Sequence, residues 1–383
     1  MTKKKITKLR SLFKKLKIDG YIVPKNDEFF SEYSEFDRLK IISNFKGSAG
    51  YAVILKNINY LFVDGRYTIQ AKLESGKDFI IKDFTEIVNC NLFRGLTLGL
   101  NPKFFTSNQI KKFFFKKNKI KIIEKDLINT IVQAKFKPIK HFFSINNNIA
   151  GENHRSKLKK IVNFLKRNKL KYIFISAPEN VAWLLNIRGH DNPNSPIPNC
   201  HLLLDDKGKK YLITNPKKVK KLIKEKKLFP NEIVHNKNFN SFLEKLKSGK
   251  IIIDLKTCSI YHENILKNKF KILKKNDPVF ELKALKNKIE IRNMIKAHIL
   301  DGVALTKFLY WIKNINNKKI TEFDAQVKLE KFRKIHQNYL YPSFNTIAGT
   351  GSNGAIVHYR ATKKNAKKIK DSDIFLCDSG GQY

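Results

Sequence analysis

A chain of 383 residues is long for one domain and suits two or three, and its 42% hydrophobic and 29% charged residues describe a packed globular protein and exclude a disordered one. No stretch approaches the uncharged apolar run that a membrane helix needs, so no membrane association is expected. The net charge of +44 invites a nucleic-acid reading, but lysine is spread along the whole chain and travels with abundant Ile, Asn and Phe and little Ala. That is the composition expected of an AT-rich genome, and no nucleic-acid partner is expected. Cys90, Cys200, Cys258 and Cys377 are scattered without a CxxC pair, which argues against a disulfide framework or zinc knuckle and for a cytoplasmic location.

The first 24 residues are basic, but no apolar targeting core or cleavage site follows. Ile6, Leu9, Leu12, Phe13 and Leu16 share one stripe and predict an amphipathic first helix leading into a strand at Tyr21–Pro24. Strands YAVIL (51–55) and NYLFVD (59–64) follow, then a helix from Tyr67. The polar run NNNIAGEN (146–153) reads as a linker. Beyond it the order of events repeats: a stripe at Leu158, Ile161, Val162 and Leu165, strands KYIFIS (171–176), HLLLDD (201–206) and KYLIT (210–214), a helix from Lys217, the strand IIID (251–254) and another helix. In 216–228, Val219, Leu222 and Ile223 have helical spacing, so the lysines there form a solvated face. This alternation predicts two α/β domains with largely buried sheets, and their similar openings point to a duplicated fold.

A second boundary falls near Asp277–Pro278, because proline disfavours helix on its N-terminal side. A long helix then begins with Ile291, Met294, Ile295 and Ile299 on one face, and Thr321 with Asp324 looks like the cap of the next helix. Short strands and glycine-rich turns complete this third region.

Four motifs could carry chemistry. GTGSNG (349–354) matches a dinucleotide fingerprint, with Asp371 at the expected distance. That fingerprint needs a helix after its glycines, whereas Ala355–Tyr359 is β-branched and predicts a strand carrying His358. In DSGG (378–381), Asp378 follows the apolar strand IFLC (374–377), placed to face a cleft, although Asp-Ser-Gly-Gly alone is more often a turn. If the strands ending at His358 and Asp378 are neighbours, an imidazole and a carboxylate share a pocket. In DGRY (64–67), Arg66 can pair with a carboxylate across a domain or subunit boundary, although the residues alone favour a local pair with Asp64. Arg188 and Asp191 in NIRGHD (186–191) pose the same choice, a site or a braced turn.

Taken jointly these segments resemble the Xaa-Pro aminopeptidase (aminopeptidase P) family in its three-domain cytosolic form. The resemblance is carried by IDGYIVP (18–24), SEY (31–33), NFKGSAGYAV (44–53) and FVDGRYTIQA (62–71), then by ENVAWLLNIRGHD (179–191) with Pro196 shortly after. In the third region it is carried by IEIRNMIKAHILDGVAL (289–305), SFNTIAGTGSNGAIVHY (343–359) and LCDSGGQY (376–383). It implies two creatinase-like α/β domains, 1–145 and 146–280, followed over 281–383 by the N-terminal part of an α+β pita-bread metallopeptidase domain.

The resemblance also implies release of an N-terminal residue that precedes proline, by two divalent metal ions, typically manganese, in a homodimer. Asp378 matches the first metal-binding Asp of the family. His358 matches a histidine that contacts substrate and assists proton transfer. Arg66 matches a substrate-binding arginine that reaches a partner subunit's site. The family's remaining ligands, a second Asp, a His and two Glu, would lie beyond Tyr383. The sequence is therefore expected to be the front of such an enzyme, inactive by itself. The alternatives are a prolidase or creatinase relative, and a non-catalytic dimerisation or binding protein of creatinase-like domains.

Overall fold

The computed structural model describes residues 2–89, 91–114, 118–133, 138–315 and 320–383, so Cys90 lies outside the described residues. The chain divides into two compact units, one of Met1–Asp64 with Ala71–Lys286, the other of Gly65–Gln70 with Asn287–Tyr383.

The first unit contains two six-stranded sheets. The first sheet is built from β1 (Gly20–Pro24), β2 (Tyr51–Leu55), β3 (Asn59–Val63), β4 (Ile80–Asp83), β5 (Thr97–Leu100) and β6 (Lys119–Ile122). The second is built from β7 (Tyr172–Ile175), β8 (His201–Asp205), β9 (Lys210–Ile213), β10 (Ile233–Val234), β11 (Lys250–Ile253) and β12 (Lys271–Lys274). The orders are β4-β3-β2-β1-β5-β6 and β10-β9-β8-β7-β11-β12. In each sheet the hairpin strands beside the central one are antiparallel and all other pairs are parallel. The duplication expected from the sequence is thus present in strand order and direction.

Central strands are buried along their whole length, as continuous apolar runs require. At Gly20 in β1, a Cβ would lie 2.5 Å from a Leu55 methyl and 2.9 Å from the Ile54 carbonyl oxygen, so only glycine lets β2 approach there. Each fully buried Leu, Ile or Phe contributes roughly 1.5–3 kcal/mol through removal from water. In the core of the first sheet these include Phe62, Leu98, Phe105 and Phe114, and in that of the second Leu184, Leu202, Leu212 and Ile252.

The predicted first helix is broken. It runs as α1 (Thr2–Arg10), turns at Ser11–Leu12 and resumes over Phe13–Leu16, with Ile6, Leu9 and Phe13 buried. At the break, Arg10 donates to the Leu55 carbonyl (2.8 Å) and to Asn59 Oδ1 (2.9 Å). The run read as a linker forms one helical turn, Asn147–Ala150, ahead of α2 (His154–Arg167), which Asn153 caps by accepting from Ser156 N–H.

In the second unit, α3 (Lys288–Lys313) packs on α4 (Glu322–Lys334) around Phe308, Ala325, Leu329 and Ile369. Asn287 and Glu290 cap α3 reciprocally, and Thr321 with Asp324 does the same for α4. The stripe Ile291, Met294, Ile295 and Ile299 does lie on one face of α3, but that face is 48–62% exposed, whereas Ala304 and Phe308 are buried. Two short antiparallel pairs follow, β13 (Tyr341–Pro342) with β16 (Gly381–Gln382), and β14 (Ile347–Thr350) with β15 (Phe375–Asp378).

One local prediction fails. Ala355–Tyr359 is not a strand: Gly351–Ala355 is a 3-10 turn, and His358 lies beyond it in the left-handed region at φ 61°. The cause is Glu322, fully buried at the start of α4. Its carboxylate accepts from Thr350 N–H (2.7 Å), Asn353 Nδ2 (3.0 Å), the Tyr359 hydroxyl (2.9 Å) and Lys367 N–H (2.9 Å). A carboxylate this deep needs such donors, and gathering them curls residues 350–367 into a loop that overrides local β propensity. Gly351, at φ 53°, allows the strand-to-turn reversal.

Candidate active site

Gly65–Tyr67 forms a 3-10 turn that ends β3, and a helix continues over Thr68–Ser75. Tyr67 is fully buried. Its hydroxyl lies 2.5 Å from His358 Nδ1, with the two ring centroids 5.4 Å apart. The exposed Arg66 guanidinium lies 5.2 Å from the centre of the same Tyr67 ring. Tyr67 thus contacts both Arg66, its neighbour in the chain, and His358, which lies 291 positions away.

Asp378 stands on a strand of the same unit. It ends β15 opposite Ile347 of β14 and is exposed. His358 is on no strand, so the two residues do not sit on neighbouring strands as their spacing suggested; the strand beside Asp378 is β14. Alternate residues of β15 face the other way, and burial pushes the Cys377 thiol up from its ordinary value.

The turn after Asp378 is held from below. Arg333, 1% exposed, donates to both Asp301 oxygens (2.7 and 2.9 Å) and to Ser379 Oγ (3.0 Å), and the Tyr383 hydroxyl donates to Asp301 (2.8 Å). Burial alone would raise the Asp301 carboxyl, but the hydrogen bonds from Arg333 and Tyr383 outweigh it and hold the group below its ordinary range. The planar fork of arginine suits this bidentate grip.

The described residues by themselves do not complete a two-metal centre. Two divalent ions need several ligands each and a bridging group, and among the described residues no three His, Cys, Asp or Glu side chains gather around one point.

The second basic–acidic motif is structural. Asp191 accepts from Asn199 N–H (2.7 Å) and pairs with Lys218 (2.6 Å), while Arg188 donates to the carbonyls of Ala182 and Ile187.

Sequence reading missed Tyr67, Glu322, Asp301 and Arg333. Tyr67 stood inside a motif attributed to its arginine. Glu322 was hidden beside the cap residue Thr321, and a charged residue next to a cap reads as helix-terminal electrostatics. Asp301 and Arg333 are ordinary helix charges until the helices are packed.

Three family models match in succession: a creatinase/prolidase N-terminal domain over residues 5–117, a second such domain over 133–290, and metallopeptidase family M24 over 292–383. The chain belongs to the M24 metallopeptidase family, in the branch with creatinase/prolidase N-terminal domains. Within that family its full length is similar to Xaa-Pro aminopeptidases. It is 28% identical to a probable Xaa-Pro aminopeptidase P of Coprinopsis cinerea, aligning over 100% of this chain and 67% of that protein. It is 30% identical to one of Pyrenophora teres f. teres, over 100% and 63%. The crystal structure of X-prolyl aminopeptidase from Caenorhabditis elegans, described as a cytosolic enzyme with a di-nuclear active site, has the same fold. It superposes with a TM-score of 0.89 at 23% identity, covering 100% of this chain and 68% of that one. The chain spans about two thirds of the length of these relatives.

Proposed function

We propose that the chain carries the peptide-recognition part of an Xaa-Pro aminopeptidase, a metallopeptidase that releases an N-terminal residue preceding proline. The observation that carries this reading is that Tyr67 contacts two exposed residues, Arg66 and His358, which would offer a cation and an imidazole to one ligand. A fixed guanidinium suits the carboxylate or carbonyl groups of a short peptide, and an imidazole suits its amide. In this reading Arg66 and His358 bind the substrate, and His358 also assists proton transfer. Asp378 supplies one oxygen donor of the di-nuclear centre, whose ions are of the manganese type.

Fluorescence anisotropy with a C-terminally labelled Xaa-Pro peptide and its Xaa-Ala counterpart tests the reading. The proline peptide is expected to bind about tenfold tighter, and Arg66→Ala or His358→Ala is expected to remove that preference, a loss of about 1.4 kcal/mol. Equal binding of both peptides sinks the proposal. With so few ligands gathered among the described residues, the 383-residue chain by itself is expected to show no manganese-dependent cleavage, measured as released N-terminal residue. Light scattering at micromolar concentration checks the homodimer that belongs to the same reading.

A further inference from the structure

We propose that Tyr67 is the positioning residue of His358: its buried hydroxyl donates to Nδ1, fixes the imidazole as the Nε2–H tautomer, and leaves that single N–H as the donor offered to a peptide carbonyl. Three observations point to it. The oxygen–nitrogen separation is 2.5 Å, short even for a phenol–imidazole pair. Tyr67 is fully buried and ends a 3-10 turn that runs straight into a helix, so its hydroxyl has a fixed position, whereas His358 is exposed on a loop. His358 also has φ 61°, a backbone conformation uncommon for a residue with a side chain, and one that persists where its surroundings over-determine it.

The surroundings are two tyrosines. Next in the chain, Tyr359 is buried and donates to Glu322 at 2.9 Å, which fixes the loop from inside. Tyr67 then fixes the ring itself. The direction of the hydrogen bond follows from acidity: a phenolic O–H is a stronger donor than a neutral imidazole N–H, and the unprotonated imidazole nitrogen is a strong acceptor. With Nδ1 occupied as acceptor, the proton of the neutral ring resides on Nε2. An imidazole so held acts as an oriented donor; without the phenol, both tautomers and both ring orientations are open to it. The use of that N–H by a peptide rests on the reading above; the tautomer does not.

The test is nitrogen NMR of the full 383-residue chain labelled with 15N-histidine, at a pH where the ring is neutral. The His358 signals are assigned by their loss in His358→Gln. In the unaltered protein Nδ1 is expected at the position of an unprotonated ring nitrogen and Nε2 at that of a protonated one. In Tyr67→Phe, which keeps the buried ring, the two signals are expected to converge as the tautomers mix. An unchanged tautomer in Tyr67→Phe, or a proton found on Nδ1 in the unaltered protein, overturns the proposal. Should Tyr67→Phe unfold, 3-fluorotyrosine at position 67 keeps the shape and strengthens the donor. It is expected to move Nδ1 further in the hydrogen-bonded direction, and no movement counts against the proposal. If the tautomer behaves as expected but no proline preference is found, the positioning stands and the peptide reading falls.

Discussion

The two sheets share strand order and direction but fill their interiors with different chemistry. The first packs Tyr51 among Phe84, Phe105, Phe113 and Phe114, with ring centroids 5.4–6.1 Å apart. The second places two imidazoles in the equivalent depth: His201 and His262 meet edge to face at 4.6 Å, flanked by Phe174, Phe239 and Phe29. Burial lowers both histidines, His201 to about 4, and for His262 the neighbouring His201 lowers it further. Topology is therefore set by the strand pattern and is indifferent to what fills the centre, while response to acid is set by the filling.

The largest expected effect concerns whether the two sheets stand or fall together. Phe105→Ala and Phe174→Ala each empty a fully buried site and should cost about 3–5 kcal/mol. The Phe105 carbonyl accepts from Ile260 N–H at 2.8 Å, tying one sheet's helix to the other's. Both variants should accordingly shift the same urea transition; two transitions responding separately would break the comparison.

Next is the Asn287–Tyr383 unit, where the fully buried Phe308, Ala325 and Leu329 pack with Ile369 and the Arg333–Asp301 pair fixes the final turn. Arg333→Met leaves the Asp301 carboxylate with the Tyr383 hydroxyl but no cation and should cost about 3 kcal/mol. A loss below about 1 kcal/mol in thermal or urea unfolding would show that the small apolar core suffices.

The acid response comes third. Neutral imidazoles are favoured in the folded second sheet, so the unfolded chain takes up protons first as pH falls below 6.5. Stability due to His201 is lost from there down to about 4. Asp27 and Asp277, raised by burial to about 6 from an ordinary 3.8, act oppositely. Folded, they keep their proton to higher pH, so their contribution is present below 3.8 and is lost as pH rises to about 6. These opposed groups make the unaltered protein's stability vary little between 4 and 6. His262→Phe removes one acid-sensitive group, and the variant should gain on the parent as pH falls from 6.5 to 4, by at most about 1.4 kcal/mol per pH unit. Denaturation midpoints running parallel across that window would deny the histidines their role.

Smallest is the α3 stripe. Ile295→Lys and Ile299→Lys lie on a half-exposed face and should change stability by no more than about 0.5 kcal/mol. A loss of several kcal/mol would mean that face is covered in solution.

The stripe also shows the limits of the sequence. Periodicity finds which residues share a face, and Ile291, Met294, Ile295 and Ile299 do, but not what lies against it. The strands 51–55, 172–175, 201–205 and 250–253 were legible because unbroken apolar runs admit few other fates. The His358 loop was misread because Ile356 and Val357 favour extended backbone while a carboxylate at position 322, remote in the chain, requires their neighbours as donors. Tyr67 and His358 are 291 positions apart, and no local pattern joins them.

Gly20 carries a consequence for the duplication. By register, the position it holds opposite Leu55 and Leu98 in the first sheet belongs to Tyr172, opposite Asp205 and Ile251, in the second. The halves are copies in outline that no longer accept each other's parts. An exchange of central strands by recombination would put a phenol where not even a methyl fits, so the two repeats are free to diverge in sequence but barred from being homogenised.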